Sequence, residues 1–394
     1  MFVKAVLWTA FFAVHFNISI MLPLLPFAQH ELGLSSNESA LVLGAFPAAA
    51  LVGNLLLGPL IDRFGRKRMM ILGAIGAAIA YLLTALARDA AMLAFGRALS
   101  GFAMPGIGAA VFAAIADYVP PEQRARTSGV VASGAPVAFL ASMSIGVWSG
   151  GLLAWQVPFL LLAALVIGLA IAIATFPPTQ ASALATTPVS LRLYRERLLG
   201  VGMGGGTATM LGGYFCWAAA IFVFLGAYPS WLVQHALAGD GAGLIGALLF
   251  VGELGGLAGA LLSGRLSALT RHPLGLCAGT AAVLALLTVA VPLMGGIAPG
   301  QAALYVAFAF GRDLMLALML GGAMLLVPAA RRGSLNAMLN ATYQTGATLG
   351  GMASAWLYAL HPGFGANALA AGLLLAGCGV MLRRVVRVQE AAAV

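Results

Sequence analysis

Apolar residues run through this chain in long stretches separated by short polar connections. Twelve such spans cover 5–28, 39–61, 69–88, 91–118, 126–150, 155–176, 202–229, 242–263, 274–296, 301–328, 334–360 and 364–382. Each is long enough to cross a hydrocarbon layer about 30 Å thick as a helix. The period-2 alternation of barrel strands is absent, and a helix that spans lipid satisfies its own backbone hydrogen bonds. The pattern predicts an all-α membrane protein with twelve transmembrane helices.

Composition agrees. Of 394 residues, 62% are hydrophobic and 8% charged, too much apolar surface for one water-soluble core. The net charge is +9, from 20 Lys and Arg against 11 Asp and Glu, which in a soluble protein would suggest a nucleic-acid partner. Position explains the excess instead. Lys4 and the bases of alternate connections, at 63–68, 124–126, 192–197, 265–271, 331–332 and 383–387, fall on one side and account for 17 of the 20. The opposite loops hold only Arg88, while Arg97 and Arg312 lie inside spans. The positive-inside rule then places both termini in the cytoplasm and makes the lipid bilayer, not nucleic acid, the partner. The apolar run after Lys4 extends to about Ala28, with further spans following, so it reads as the first membrane helix and not a cleaved signal. Cys216, Cys277 and Cys378 stand far apart inside apolar stretches and imply neither a disulfide framework nor a metal site.

The longest polar connection, with Pro177, Pro178, Pro188 and a basic LRLYRER stretch, divides the chain into two halves of six spans. The expected organisation is an N-terminal bundle over 1–176, a cytoplasmic linker over 177–199 and a C-terminal bundle over 200–394. Leu43 to Arg63 runs in register with Ile245 to Arg265, and the AFGR of Ala94 to Arg97 recurs at Ala309 to Arg312. Parallel repeats of this kind mark folds whose two halves move around a central site.

Between spans two and three stands Gly58-Pro59-Leu60-Ile61-Asp62-Arg63-Phe64-Gly65-Arg66-Lys67-Arg68. It resembles the G-x-L-x-D-R-x-G-R-K/R signature of the major facilitator superfamily. The resemblance implies a conformational gate built from Gly58, Asp62, Arg63, Gly65, Arg66 and Lys67. Asp117, at the inner end of span four, matches an acid that often joins it, with Arg66 bridging the two acids. In the second half Gly264 replaces the acid before Arg265, so that gate is degenerate. Arg97 followed by Gly101 fits a second family feature. Gly134-Ala135-Pro136 only partly fits the span-five pattern of antiporters.

Charged residues deep in a membrane span are functional candidates, because the bilayer makes them costly. Here they are Arg97, Glu253, Arg312 and Asp313. If Arg97 and Arg312 occupy equivalent positions in the two halves, they offer two positive charges to an anionic substrate. Glu253, among Gly252, Gly255 and Gly256, and Asp313 are alternative proton carriers. Arg312 and Asp313 are adjacent and so point about 100° apart on a helix. Further substrate-binding candidates are His15 and Asn17 in span one, Tyr214 and Trp217 in span seven, and Tyr343 and Gln344 in span eleven. Each also has a plain structural reading as packing or helix-to-helix hydrogen bonding.

No HExxH, GxSxG or P-loop pattern occurs, so neither an enzyme nor a nucleotide-driven pump is expected, and no cofactor or metal is called for. The expected function is a monomeric secondary transporter of the bacterial inner membrane that exports a small organic or amphipathic compound in exchange for protons. Two alternatives stand beside it: a carrier of an organic anion or siderophore held by Arg97 and Arg312, and a non-transporting sensor or receptor on the same fold.

Overall fold

The computed structural model describes residues 2–177, 205–237, 239, 241–270, 272–323, 326–327 and 332–393. The expected linker therefore lies, from residue 178 onward, outside the described residues. All regular structure among these residues is helical. Eleven stretches of the described residues are long and apolar enough to cross a membrane. By contact the chain forms two compact units, Met1–Leu191 and Arg192–Val394.

The first unit contains α1 (Phe2–Leu32), α2 (Ser36–Phe64), α3 (Arg66–Ala85), α4 (Ala90–Ala103), α5 (Pro105–Tyr118), α6 (Pro121–Ala132), α7 (Gly134–Leu152) and α8 (Val157–Ala174). A capping box starts α2: Glu38 N–H donates to Ser35 Oγ, and Ser35 N–H donates to the Glu38 carboxylate at 2.8 Å. Asp89 caps α4 by accepting from Met92 N–H at 2.8 Å. Two expected spans are interrupted. Span four breaks after Met104 because Pro105 has no N–H to continue the ladder, and span five breaks at Ser133 before Gly134. Gly65, at φ +88°, makes the turn from α2 into α3, a backbone angle that side chains other than glycine's rarely adopt.

The second unit contains α9 (Gly205–Leu225), α10 (Tyr228–Trp231) with a π-helical turn Leu232–Ala236, α11 (Gly241–Ala268), α12 (Pro273–Ala290), α13 (Ala298–Ala323), α14 (Arg332–Leu360) and α15 (Gly365–Ala393). At 29 residues α14 is about 43 Å long, enough to span, but it is not among the eleven apolar stretches. Asn336, Asn340, Thr342, Gln344, Thr345 and Thr348 make it the most polar of the twelve expected spans.

The same pairing recurs in both units. In the first, α1 packs on α7, α2 on α4 and α3 on α8; in the second, α9 packs on α14, α11 on α13 and α12 on α15. Second with fourth, third with sixth, first with fifth: the internal repeat is one of packing as well as sequence. The AFGR copies do not stand at matching depths, however. Arg97 lies about two turns into α4 from Ala90, and Arg312 about four turns into α13 from Ala298.

Candidate functional site

Both units hold a buried cation, and the two are treated oppositely. In the second unit, Arg312 Nη1 and Nη2 donate to the two carboxylate oxygens of Glu253 at 3.0 and 2.6 Å. Its Nε and Nη2 also donate to the Asp313 carboxylate at 2.8 and 2.9 Å. One guanidinium thus holds two carboxylates, each through two oxygens, the geometry for which its planar fork is suited. Glu253 is fully enclosed, its side chain 1% exposed, whereas that of Asp313 is 13% exposed. The Tyr305 hydroxyl donates to Glu253 as well.

Glycines create the space. An ideal Cβ at Gly252 would stand 1.9 Å from the Tyr305 ring, and one at Gly256 would stand 2.5 Å from Asp313 Oδ2 and 3.0 Å from Arg312 Nη2. Gly255 and Gly259 bring the α11 backbone against the α13 carbonyls of Val306 and Phe310. Removing side chains along one helix face lets α11 and α13 approach closely, which is how small residues work in membrane interfaces. Arg312 and Asp313 leave the helix about 100° apart, yet their side chains meet. The arginine stem is long enough to fold back over its neighbour, and Glu253, Arg312 and Asp313 form one cluster.

An aromatic group in the same unit joins α9 to α14. Tyr214 and Trp217 stack at 5.5 Å between centroids, Tyr343 lies 6.3 and 6.2 Å from them, and Phe222 meets Tyr343 edge-on at 5.9 Å. Gly346 and Gly350 allow this contact by admitting Ala218 and Ala219 of α9. Gln344 is buried beside Tyr343, and its carbonyl accepts from Thr348 at 2.8 Å. Trp217 Nε1 is buried without a hydrogen-bond partner among the described residues.

In the first unit Arg97, 2% exposed, donates from Nη1 to Asn17 Oδ1 at 2.7 Å and from Nη2 to the Asn17 carbonyl at 3.1 Å. Its guanidinium carbon stands 4.9 Å from the Phe46 ring centre and 5.8 Å from that of Phe159. Gly101 positions Phe46: a Cβ there would fall 2.1 Å from the Phe46 carbonyl oxygen. The spacing of Arg97 to Gly101 thus presses α4 onto α2 and lays the ring against the guanidinium one turn away. His15 is not drawn into this group by any described contact. Its Nδ1 pairs with the Phe11 carbonyl one turn back, and its ring rests on Phe11.

At the expected cytoplasmic edge, Arg66 Nη1 pairs with Asp117 Oδ1 at 2.5 Å, joining the start of α3 to the end of α5. Lys67 donates to the Phe176 carbonyl. Gly58 lies within α2, and the side chains of Asp62 and Arg63 are outside what is described.

A family model described as Major Facilitator Superfamily matches residues 7–344. The chain belongs to that superfamily. It is a multi-pass membrane transporter, like the proteins it resembles, and not an enzyme. YceJ of Bacillus subtilis (strain 168), described as an uncharacterized MFS-type transporter, is 27% identical over 366 residues, 90% of each chain. Multidrug resistance protein 2 of the same organism is 28% identical over 149 residues, 38% of this chain and 36% of that protein. Quinolone resistance protein NorA of Staphylococcus aureus (strain N315) is 25% identical over 141 residues, 36% of each. Two solved structures share the superfamily fold at 15% identity. A bacterial homologue of the human lysosomal transporter Spinster has a TM-score of 0.76 with 97% of this chain and 94% of that chain covered. A mutant of the nucleoside transporter NupG has a TM-score of 0.79 with 98% and 99% covered.

Within this superfamily fold, the charged candidates and Asn17 were visible in the sequence, and their aromatic neighbours were not. Tyr305, Phe46 and Phe159 each complete a polar cluster and were missed. Tyr305 carried a signal: it stands seven residues before Arg312, two turns up the same helix face, opposite the side-chain-free Gly252.

Proposed function

We propose that this protein is a proton-coupled secondary transporter that exports a small organic or amphipathic compound across the bacterial inner membrane by alternating access. One observation carries the reading. In the Glu253–Arg312–Asp313 cluster, two carboxylates face one guanidinium inside membrane-spanning helices. One negative charge is left over, and a buried net charge in lipid is costly, so a proton is the ion that balances it. Asp313, the less enclosed acid, takes up and releases that proton, while Glu253 stays bound to Arg312 and Tyr305. Tyr214, Trp217 and Tyr343 supply the flat apolar faces that an amphipathic substrate stacks against. Export is supported by the partial matches to proteins named for multidrug and quinolone resistance.

Purified protein in liposomes, loaded with a panel of amphipathic dyes and placed in a pH gradient, tests this. Dye flux that follows the gradient in the wild type and loses that dependence in Asp313→Asn supports the reading; flux indifferent to the gradient in the wild type ends it. A second reading, a carrier of organic anions, keeps one supporting observation in Arg97, which has hydrogen bonds but no acid beside it among the described residues.

A further inference from the structure

The two buried arginines differ in what balances them. Arg312 has two carboxylates. Arg97 is equally enclosed, yet among the described residues no carboxylate pairs with it, and its hydrogen bonds there go to the neutral Asn17. Phe46 and Phe159 offer ring faces, a partial compensation for a desolvated cation but not a counter-charge. Two donors of this same hydrogen-bonded pair, Arg97 Nε and Asn17 Nδ2, are buried with no acceptor among the described residues. Buried N–H groups without acceptors are rare in folded proteins, and two on one interacting pair around an unbalanced charge call for the same missing chemistry.

We infer that Arg97 and Asn17 form an anion-binding subsite within the first unit that takes one monovalent anion, either a free halide or the carboxylate of a bound organic compound. The anion would accept from Arg97 Nε and Asn17 Nδ2 while the ring faces of Phe46 and Phe159 keep water away. A single guanidinium in an apolar setting matches one negative charge and leaves a divalent anion half balanced, so sulfate is a suitable background ion. The inference does not depend on proton coupling, because it concerns a different unit and an equilibrium binding event without a gradient.

The test uses the full chain in detergent at constant ionic strength in sulfate. Chloride, bromide and benzoate are titrated separately, and the thermal unfolding midpoint is read. A ligand that binds the folded state raises the midpoint with concentration. We expect a saturable rise with at least one of the three probes, lost in Arg97→Gln and weakened severalfold in Asn17→Ala. A response to halides assigns a free-anion site; a response to benzoate alone assigns a substrate carboxylate. No saturable rise in the wild type, or a rise undiminished in both variants, overturns the inference. Should Arg97→Gln fail to fold, Asn17→Ala, which keeps the charge, decides alone. Loss of pH-driven flux in Asp313→Asn leaves this result untouched, and the reverse holds too.

Discussion

Arg312 reaches across from α13 to grip both carboxylate oxygens of Glu253 on α11, at 2.6 and 3.0 Å, while its own neighbour Asp313 occupies the remaining edge of the same guanidinium. Three charges therefore depend on one another, and the consequences of removing each are unequal. Arg312→Gln leaves two acids facing each other without their counter-charge, with only the Tyr305 hydroxyl still donating to Glu253. Breaking a buried ion pair from one side costs on the order of 3–5 kcal/mol. We expect a large drop in thermal stability for Arg312→Gln, with part of it recovered in the double variant Arg312→Gln/Glu253→Gln. A double variant no more stable than Arg312→Gln alone would show that Glu253 and Arg312 are not energetically coupled.

Asp313 should behave differently from Glu253. Replacing Asp313 by Asn leaves one acid on one guanidinium, a balanced pair, so the protein should remain folded. Expected is loss of pH-driven flux with substrate exchange at equal pH retained, read in the same liposomes. Glu253→Gln, which strips the enclosed partner, should lose stability first. Retained pH-dependence in Asp313→Asn would move the proton elsewhere.

The spans were legible because insertion into lipid demands unbroken apolar length, a signal that needs no knowledge of neighbours. Charges were legible as candidates for the same reason: Arg97, Glu253, Arg312 and Asp313 stand out against apolar surroundings. Pairing inside the spans was not legible, in contrast to Arg66 with Asp117 at the helix ends. Which ring of α2 meets Arg97 depends on the rotation of that helix about its axis, and that is set by Gly101 pressing on the Phe46 carbonyl, a contact visible only once α4 is laid on α2. The AFGR copies misled in the other direction. Identical letters suggested identical depth, but α13 carries two more turns before its arginine than α4 does. The break at Met104 was readable in principle from Pro105, and was obscured by apolar residues on both sides of it.

Glycine positions give a test of that packing. A Cβ at Gly101 or Gly252 would fall 2.1 or 1.9 Å from its neighbour, so the helices must shift, whereas Gly206 faces open space. Overpacking of this kind costs about 1–3 kcal/mol. Gly101→Ala and Gly252→Ala should lower the thermal midpoint and reduce flux, and Gly206→Ala should leave both at wild-type values. If all three behaved alike, close approach would not be what these glycines provide.

The pair at the expected cytoplasmic edge separates stability from transport. Arg66 and Asp117 are 21% and 12% exposed, a partly buried pair. Asn at 117 keeps an acceptor oxygen for Arg66, so the change is from a charge-assisted to a neutral hydrogen bond, about 1 kcal/mol. Asp117→Asn should therefore leave expression and thermal midpoint nearly unchanged. Its effect, if the pair is part of a gate, falls on rate. Arg66 sits just past the Gly65 turn, so the pair ties the first residue of α3 to the end of α5, and must loosen if those helix ends part during the cycle. Neutralising the acid removes a contact that favours one conformation. Expected is a several-fold change in turnover at unchanged apparent substrate affinity, measured as initial flux against substrate concentration. Charge reversal of both partners, Arg66→Asp with Asp117→Arg, should restore much of the wild-type rate. A turnover identical to wild type in Asp117→Asn would reduce the contact to a static strut.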